Sequence, residues 1–188
     1  MALLQVVIAS TRPGRIGGAI GAWAYEHARS QGGFDVELVD LAAVNLPIFD
    51  EPQHPRLQQY QHEHTKRWAA TVARADAFVF VTPEYNYATP PALVNALDYL
   101  LHEWAYAVAG FVSYGGVSGG LRSVQMTKQI LTTLKVMPIP EAVTLPFAAR
   151  SIQDGVFTAD DGNRKAADGM LAELARWTEA LAPLRRKA

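Results

Sequence analysis

The sequence predicts an α/β three-layer sandwich: a five-stranded parallel sheet of strand order 2-1-3-4-5 with helices on both faces. Short apolar runs rich in β-branched residues alternate with longer segments of helical period. This unit recurs five times, which favours a doubly wound sheet. With 188 residues and 49% hydrophobic content, we expect one domain spanning residues 1–188.

The first half of the chain contains three predicted strands and two predicted helices. Leu3–Ala9 is an apolar run interrupted only by Gln5, typical of a strand covered on both faces, and a helix begins near Ile16. Phe34–Leu41 is the second strand. The stripe of the second helix comprises Leu57, Tyr60, His64, Trp68 and Val72. Ala77–Pro83 is the central strand, and it ends at the proline because proline has no N–H for the ladder.

The second half repeats the alternation. Pro90 and Pro91 suit the first turn of a helix. Its apolar positions are Leu93, Leu97, Leu100, Leu101 and Trp104. The fourth strand is Val108–Tyr114, a helix opens at Gly119, and the fifth strand is Ala142–Phe147. A polar loop precedes the last helix. That helix directs Met170, Leu174, Trp177, Leu181 and Leu184 inward and ends in the cations Arg185, Arg186 and Lys187, which we expect to be solvated.

The composition excludes several function classes. The formal net charge is −1 and the charges are interspersed, so the chain lacks the broad positive surface that nucleic acids require. There is no cysteine, which excludes disulfides, thiolate metal sites and cysteine nucleophiles. The N-terminal MALLQVVIAS has no basic region before its apolar run, and this run is too short to span a membrane. We therefore expect a cytoplasmic protein with no membrane partner.

The unusual residues follow the first, third and fourth strands, where a sheet of this order binds ligands. In the first of these loops, STRPGRIGG, a helix beginning near Ile16 presents unpaired N–H groups to an anion. Ser10, Arg12 and Arg15 can donate further hydrogen bonds, and Gly17 lets the backbone approach closely. These residues predict a phosphate site.

Neither GxxxxGK[ST] nor GxGxxG occurs, which disfavours a nucleoside triphosphate at a Walker loop and a dinucleotide at a Rossmann loop. Asp40 ends the second strand where an acid could contact a ribose, but without the glycine motif we expect it to be solvated.

The loops after the third and fourth strands predict the shape of the ligand. The loop after the third strand supplies Pro83, Glu84, Tyr85 and Asn86. The loop after the fourth strand supplies Ser113, Tyr114, Gly115 and Gly116. A flat heterocycle would fit between these loops. An isoalloxazine is one candidate, because it needs an apolar wall along one edge and backbone donors along the other.

In these loops the chain resembles the NADPH-dependent FMN reductase family, flavodoxin-like flavoproteins with a GSxRxxS-type phosphate loop, a PEYN loop and a YGG loop. Ser10 and Arg12 match the first loop, residues 83–86 match the second letter for letter, and residues 114–116 match the third. The resemblance spans about residues 3–147. The chain departs from the pattern at Ala9, where glycine is usual, and at residues 15–17, where many relatives carry a serine.

The resemblance implies an oxidoreductase with bound FMN that accepts hydride at the flavin N5 from NADH or NADPH. Electrons then pass by a ping-pong route to a small acceptor: a quinone, an azo compound, a metal oxyanion or free flavin. Because the flavin performs this chemistry, no catalytic side chain is assigned. Glu84 could transfer protons, but a carboxylate in such a loop is more often a hydrogen-bonding or capping group.

Two other functions remain open. The protein could be an FMN-binding electron carrier or a redox-responsive binding protein, although the near-neutral charge argues against a pure carrier, whose surface is usually strongly acidic. It could also be a nicotinamide-dependent Rossmann dehydrogenase, which would hold no coloured cofactor.

Two further expectations concern surfaces. Apolar residues between 90 and 106 cover more than one helical stripe, so a second face must be buried, by a partner or by a loop of the same chain. Because the resemblance implies dimers, we expect a homodimer or a dimer of dimers. His62 and His64, two apart on a predicted helix, should point to different faces and therefore predict solvated surface and no metal site.

Overall fold

A computed structural model describes residues 1–185. Its main sheet has five parallel strands in the order β2-β1-β3-β4-β5, which confirms the predicted order. These strands are β1 (Ala2–Ile8), β2 (Phe34–Asp40), β3 (Ala77–Pro83), β4 (Val108–Gly115) and β5 (Met137–Pro146). The helices are α1 (Gly17–Gln31), α2 (Leu41–Val44), α3 (Glu63–Ala73), α4 (Pro91–Asp98), α5 (Leu121–Thr133) and α6 (Asp161–Arg185).

Each face of the sheet carries its own hydrophobic core. On one face α3, α4 and α5 cover a group of aromatic side chains; these are Trp68, Phe78, Phe80, Trp104 and Phe111. On the other face α1 and α6 cover aliphatic residues that include Leu4, Val79 and Leu174. All seven residues of β3 are buried, as its unbroken apolar sequence predicts.

α3 begins later than its apolar stripe predicts. It starts at Glu63, so Leu57 and Tyr60 precede it, with Leu57 in a 3₁₀ turn. Glu51 explains the start, because its carboxylate accepts the backbone N–H groups of Gln61 at 2.8 Å and His62 at 3.0 Å. A cap supplied from ten residues away leaves no local signal in the sequence.

The prediction that His62 and His64 point to different faces is wrong. Their rings stack with centroids 5.1 Å apart and planes 10° from parallel, because His62 precedes α3 with extended backbone. His64 Nε2 lies 2.9 Å from an Asp50 carboxylate oxygen. Within residues 1–185, no group of three or more His, Cys, Asp or Glu side chains could hold a metal ion.

α4 is shorter than its apolar pattern. It ends at Asp98, and a 3₁₀ turn follows at His102–Trp104. Five of the apolar residues are buried within the chain: Leu93, Leu97, Tyr99, Leu100 and Trp104. The Tyr99 hydroxyl donates to the Pro47 carbonyl at 3.2 Å and to Asp50 at 2.9 Å, so a loop of the same chain covers this side. The apolar pattern alone therefore does not require a partner subunit.

β5 is longer than predicted and contains prolines. It begins at Met137, and its register against β4 shifts between Ala109 and Phe111. The Met137 N–H donates to Ala107 at 2.9 Å, toward the sheet interior. Because N–H directions alternate along a strand, position 138 faces outward, and it is a proline; the second proline, at position 140, lies where the register shifts.

The chain between β5 and α6 is more ordered than the predicted loop. A two-stranded antiparallel ribbon joins β6 (Ile152–Gln153) to β7 (Val156–Phe157). Asp154 and Gly155 form its turn, both with positive φ (51° and 78°), as a two-residue hairpin requires.

The end of α6 differs from the prediction in two ways. Leu184 is 47% exposed and does not point inward. Arg185 is not solvated, because its guanidinium donates to the carbonyls of Ala75 at 2.8 Å, Ala105 at 2.7 Å and Glu103 at 3.0 Å. The other two predicted cations, Arg186 and Lys187, lie outside the described residues. No helix within residues 1–185 has the length and apolar character needed to cross a membrane.

Candidate active site

One crevice of about 420 Å³ opens at the carboxyl ends of β1, β3, β4 and β5. It joins the three loops that the sequence singles out. The predicted site residues that line it are Ser10, Arg12, Arg15, Ile16, Pro83, Glu84, Tyr85, Tyr114 and Gly115. The structure therefore brings most of the predicted site into one place.

The β1 end of the crevice is suited to an anion. α1 begins there at Gly17, no side chain caps its N-terminus, and its first turn contains no acidic residue. The Ser10 side chain is buried, with its Oγ 2.6 Å from the Tyr85 hydroxyl. Arg12 is exposed, and within residues 1–185 its guanidinium has no carboxylate partner. The open N–H groups and this cation favour a phosphate.

Arg15 has a different environment from Arg12. Its guanidinium forms a bidentate ion pair with Asp40, with distances of 2.8 Å for Nη1 to Oδ1 and 2.5 Å for Nη2 to Oδ2. Nη1 also donates to the Ser10 carbonyl at 2.5 Å. Asp40 is therefore not the solvated strand end that we expect, and it also accepts the Ala42 N–H at 3.0 Å at the start of α2. Arg15 therefore holds the loop after β1 against Asp40, and both of its terminal nitrogens already have acceptors within the protein.

Tyr114 provides a polar group without a protein partner. The residue is only 5% exposed, and its hydroxyl makes no hydrogen bond within residues 1–185. A Cβ at position 17 would collide with this hydroxyl, so the first residue of α1 is glycine. Burial, with Tyr85 nearby, raises the pKa of the Tyr114 phenol against the smaller opposing influence of the Ser10 hydroxyl, Arg15 and Arg12, so the phenol stays protonated. A buried O–H donor without an acceptor is costly, and a ligand oxygen would relieve that cost.

Glu84 joins the PEYN loop to α5. Its carboxylate accepts hydrogen bonds from Arg122 Nε at 2.7 Å, the Arg122 N–H at 3.0 Å and the Ser118 hydroxyl at 2.9 Å. Burial alone would raise the pKa of Glu84, but the Arg122 and Ser118 hydrogen bonds outweigh it and hold the pKa below its usual value. The expected hydrogen-bonding and capping role is confirmed. An ionised, fully engaged carboxylate is a poor proton donor.

The tip of the PEYN loop is a tight turn. Backbone hydrogen bonds join Tyr85 and Ala88 in both directions, at 3.0 and 2.9 Å. Asn86 and Tyr87 between them have φ of 51° and 68°, a left-handed geometry that suits asparagine better than tyrosine. The Arg122 guanidinium lies 3.8 Å from the centroid of the Tyr87 ring and so supports the strained residue.

Four predicted site residues do not line the crevice. Asn86 is exposed at the turn, Gly17 lies beneath the crevice against Tyr114, and Gly116 is exposed beyond it. Ser113 is fully buried, and its hydroxyl has no partner within the described chain. Gly17 and Gly116 can therefore act only through their backbone or by shaping their neighbours.

Phe147, Ala149 and Arg150 form the β5 side of the crevice, and none of them was among the predicted site residues. Phe147 follows β5, and its N–H donates to the carbonyls of Gly115 at 2.8 Å and Gly116 at 3.2 Å. The Arg150 guanidinium lies 4.6 Å from the Phe147 ring centroid. A signal was present, because an aromatic residue and an arginine follow a strand whose carboxyl end lies at the same edge of the sheet.

The crevice fits a phosphorylated planar ligand such as FMN. The open start of α1, Arg12 and the unpartnered Tyr114 hydroxyl can meet a phosphate. Pro83, Tyr85 and Gly115 offer apolar and backbone surface to a ring. The fit rests on the donors at one end of the crevice and on the apolar and backbone surface of the loops beside them.

Comparisons with known proteins agree with this chemistry. The family model for NADPH-dependent FMN reductase matches residues 3–150. The chain is 38% identical over 179 residues to an NAD(P)H-dependent FMN reductase of Schizosaccharomyces pombe, covering 91% of this chain and 89% of the relative. It is 33% identical over 132 residues to an NADPH azoreductase of a Bacillus species, covering 68% and 69% of the two chains.

A solved structure confirms the flavodoxin-like fold class. FerB from Paracoccus denitrificans, described as a flavoenzyme NAD(P)H:(acceptor) oxidoreductase, matches with a TM-score of 0.74. The match covers 96% of this chain and 98% of that one at 21% sequence identity, so it shows the fold alone.

Proposed function

The chain belongs to the NADPH-dependent FMN reductase family, and from that premise we propose that its crevice holds FMN and serves a ping-pong transfer of electrons from NAD(P)H to a small acceptor. The family assignment makes the protein an NAD(P)H-dependent FMN oxidoreductase. One observation carries the proposal about the site: the open start of α1, Arg12 and the buried, unpartnered Tyr114 hydroxyl lie at the same crevice as the PEYN loop.

The chain's own residues would bind and orient the cofactor. The first-turn N–H groups of α1, Ser10, Arg12 and Tyr114 would hold the phosphate, and Arg15 would keep the loop in shape through Asp40. The PEYN and YGG loops would hold the ring, with Glu84 fixing the first of them to α5. When bound, FMN supplies the redox chemistry by accepting hydride from NAD(P)H and delivering electrons onward.

The acceptor class is also a proposal. Relatives of this chain are named azoreductases and quinone reductases, which supports a small aromatic acceptor. A crevice of about 420 Å³ that opens to solvent suits a planar molecule reaching a cofactor already in place.

We further propose a homodimer, or a dimer of dimers, formed through the outer side of α4. Although much of the apolar sequence is buried within the chain, an apolar groove remains between residues 46–48 and α4. Ile48 is 88% exposed beside Pro91 and Val94. An apolar side chain this exposed, next to an apolar groove, is typical of an interface.

The test is to reconstitute the protein with FMN and titrate it anaerobically with NADPH and with NADH. We expect a yellow protein whose flavin absorption bleaches with one of the two donors. A protein that binds no FMN would refute the site. A protein that binds FMN but is bleached by neither donor would favour the electron-carrier function.

A pair of variants tests the phosphate end of the crevice. Arg12→Ala should raise the FMN Kd about 10- to 30-fold, because one charge-assisted hydrogen bond is lost at an exposed position. Arg29→Ala is the matched control, since Arg29 is exposed in the last turn of α1 and pairs with Glu26. Equal FMN affinity in both variants would contradict the assignment of Arg12.

A further inference from the structure

The crevice contains a second cation that the proposed FMN site leaves unused. Arg150 is exposed and lines the crevice from its β5 side. Its guanidinium lies over the Phe147 ring, and within residues 1–185 no carboxylate pairs with it. The other charged side chains of the crevice are paired, Arg15 with Asp40 and Glu84 with Arg122. Only Arg12 and Arg150 are left to meet a ligand charge.

The backbone holds this arginine and its aromatic platform in place. Phe147 is 45% exposed and has φ of 51°, a left-handed conformation that is rare for an aromatic residue. Its N–H bonds to Gly115 and Gly116, and its carbonyl accepts the Arg150 N–H at 2.9 Å. Strained backbone that the surrounding hydrogen bonds maintain is concentrated at ligand sites. The backbone therefore fixes the exposed Phe147 ring and the Arg150 guanidinium together at the edge of the crevice.

The two cations serve different ends of the crevice. Arg12 follows β1 and Arg150 follows β5, and these strands are three spacings apart in the sheet, about 14 Å at 4.8 Å per spacing. Oxidised FMN carries one charged group, its phosphate, and the α1 end already supplies donors for it. The cation at the β5 end thus has no charge to meet on oxidised FMN.

We propose that Arg150, held over the Phe147 ring, binds an anionic group of the ligand that enters the crevice after FMN. That group is a phosphate of the nicotinamide dinucleotide or an acidic substituent of an aromatic acceptor. A guanidinium suits both, because it presents paired donors to planar and tetrahedral oxyanions. This inference rests on the proposed function, and it makes Arg150 the residue that selects the ligand bound after FMN.

The experiment measures KM in the FMN-loaded enzyme for four ligands: NADPH, NADH, neutral menadione and anionic 1,2-naphthoquinone-4-sulfonate. Arg150→Ala should raise the KM of at least one anionic ligand about 5- to 30-fold and leave that of menadione within twofold. Arg150→Lys, which keeps the charge without the planar fork, should fall in between. Arg176→Ala is the matched control, since Arg176 is exposed on α6 and pairs with Glu173.

The pattern of KM values identifies the source of the anion. A rise for NADPH alone assigns the 2′-phosphate, an equal rise for both dinucleotides assigns the diphosphate, and a rise for the sulfonate alone assigns the acceptor. FMN affinity, measured separately by flavin fluorescence, should stay within twofold of the wild type.

Two results would overturn the proposal: unchanged KM values for every anionic ligand, or an FMN Kd raised tenfold or more, which would make Arg150 a cofactor ligand. A wild-type protein that binds no FMN would instead refute the proposed function.

Discussion

Replacing Tyr114 with phenylalanine should stabilise the FMN-free protein and weaken its binding of FMN. The Tyr114 hydroxyl is buried and has no hydrogen-bond partner within residues 1–185. Without a ligand it therefore contributes a desolvation cost and no compensating bond. With a phosphate at the start of α1, the same O–H would become a charge-assisted donor.

The two effects have opposite signs and measurable sizes. An unpaired buried polar group costs about 1–3 kcal/mol, so removing it should raise the free energy of unfolding of the FMN-free protein by about 0.5–1.5 kcal/mol. At roughly 2–4 °C per kcal/mol for a chain of this size, the Tm should rise by about 1–6 °C. Loss of a hydrogen bond to a charged group, about 1.5–3 kcal/mol, should raise the FMN Kd by about 10- to 150-fold.

Thermal unfolding of the FMN-free protein and quenching of flavin fluorescence measure these two quantities. Tyr106→Phe is the control, because Tyr106 is half-buried near Lys135 and does not line the crevice. A Tyr114→Phe protein that is less stable and binds FMN as the wild type does would show that the hydroxyl serves the fold alone. The reasoning would then be refuted.

Gly17→Ala supplies an independent check on the same contact. Its methyl group would occupy the space of the Tyr114 hydroxyl, and overpacking of this kind costs about 1–3 kcal/mol. In the Tyr114→Phe background the nearest ring atom is Cζ at 3.3 Å, so much of that cost should disappear. Additive destabilisation in the double variant would contradict the described packing.

Three further predictions concern other parts of the molecule. Glu84→Gln should lower the free energy of unfolding at pH 7 by about 1–3 kcal/mol. The native pKa of Glu84 is lowered, so the difference in unfolding free energy between wild type and variant should hold above the ordinary carboxyl pKa and shrink as pH falls from about 4.5. Denaturant titrations that show a difference independent of pH would contradict the ion pair. Arg185→Met leaves buried carbonyls unpaired, so it should lower the free energy of unfolding by about 2–3 kcal/mol and the Tm by about 4–12 °C. Arg176→Ala is the control and should leave the Tm unaffected. An unchanged Tm in the Arg185 variant would argue against those hydrogen bonds. Ile48→Glu should shift the light-scattering mass from a dimer to a monomer, and a wild type that is already monomeric would remove the proposed interface.

The strands and their order could be predicted because buried parallel strands have a distinctive sequence. β1, β3 and β4 have apolar side chains on both faces, and few polar residues interrupt their runs in the sequence. The first half of β5 could not be predicted in this way, since Pro138 and Pro140 argue against a strand. They are tolerated because β5 is an edge strand and its register is irregular there.

The site was predicted where it depends on strand ends and missed where it depends on pairs of side chains. Carboxyl ends of parallel strands meet at one edge, so the loops after β1, β3 and β4 could be placed together from the sequence. The ion pair between Arg15 and Asp40 requires the loop after β1 to fold back toward β2, and no local pattern encodes that. Tyr114 is similar, since its unpaired hydroxyl is visible only once α1 is in place.

The prolines of β5 also determine how copies of the protein can meet. An edge strand with free N–H groups is a template for strands of other molecules, and this route leads to aggregates and fibrils. Positions 138 and 140 offer no donors, so a neighbouring strand would lose ladder hydrogen bonds along this stretch of β5. The two prolines therefore make the first half of this edge a poor template for β-aggregation.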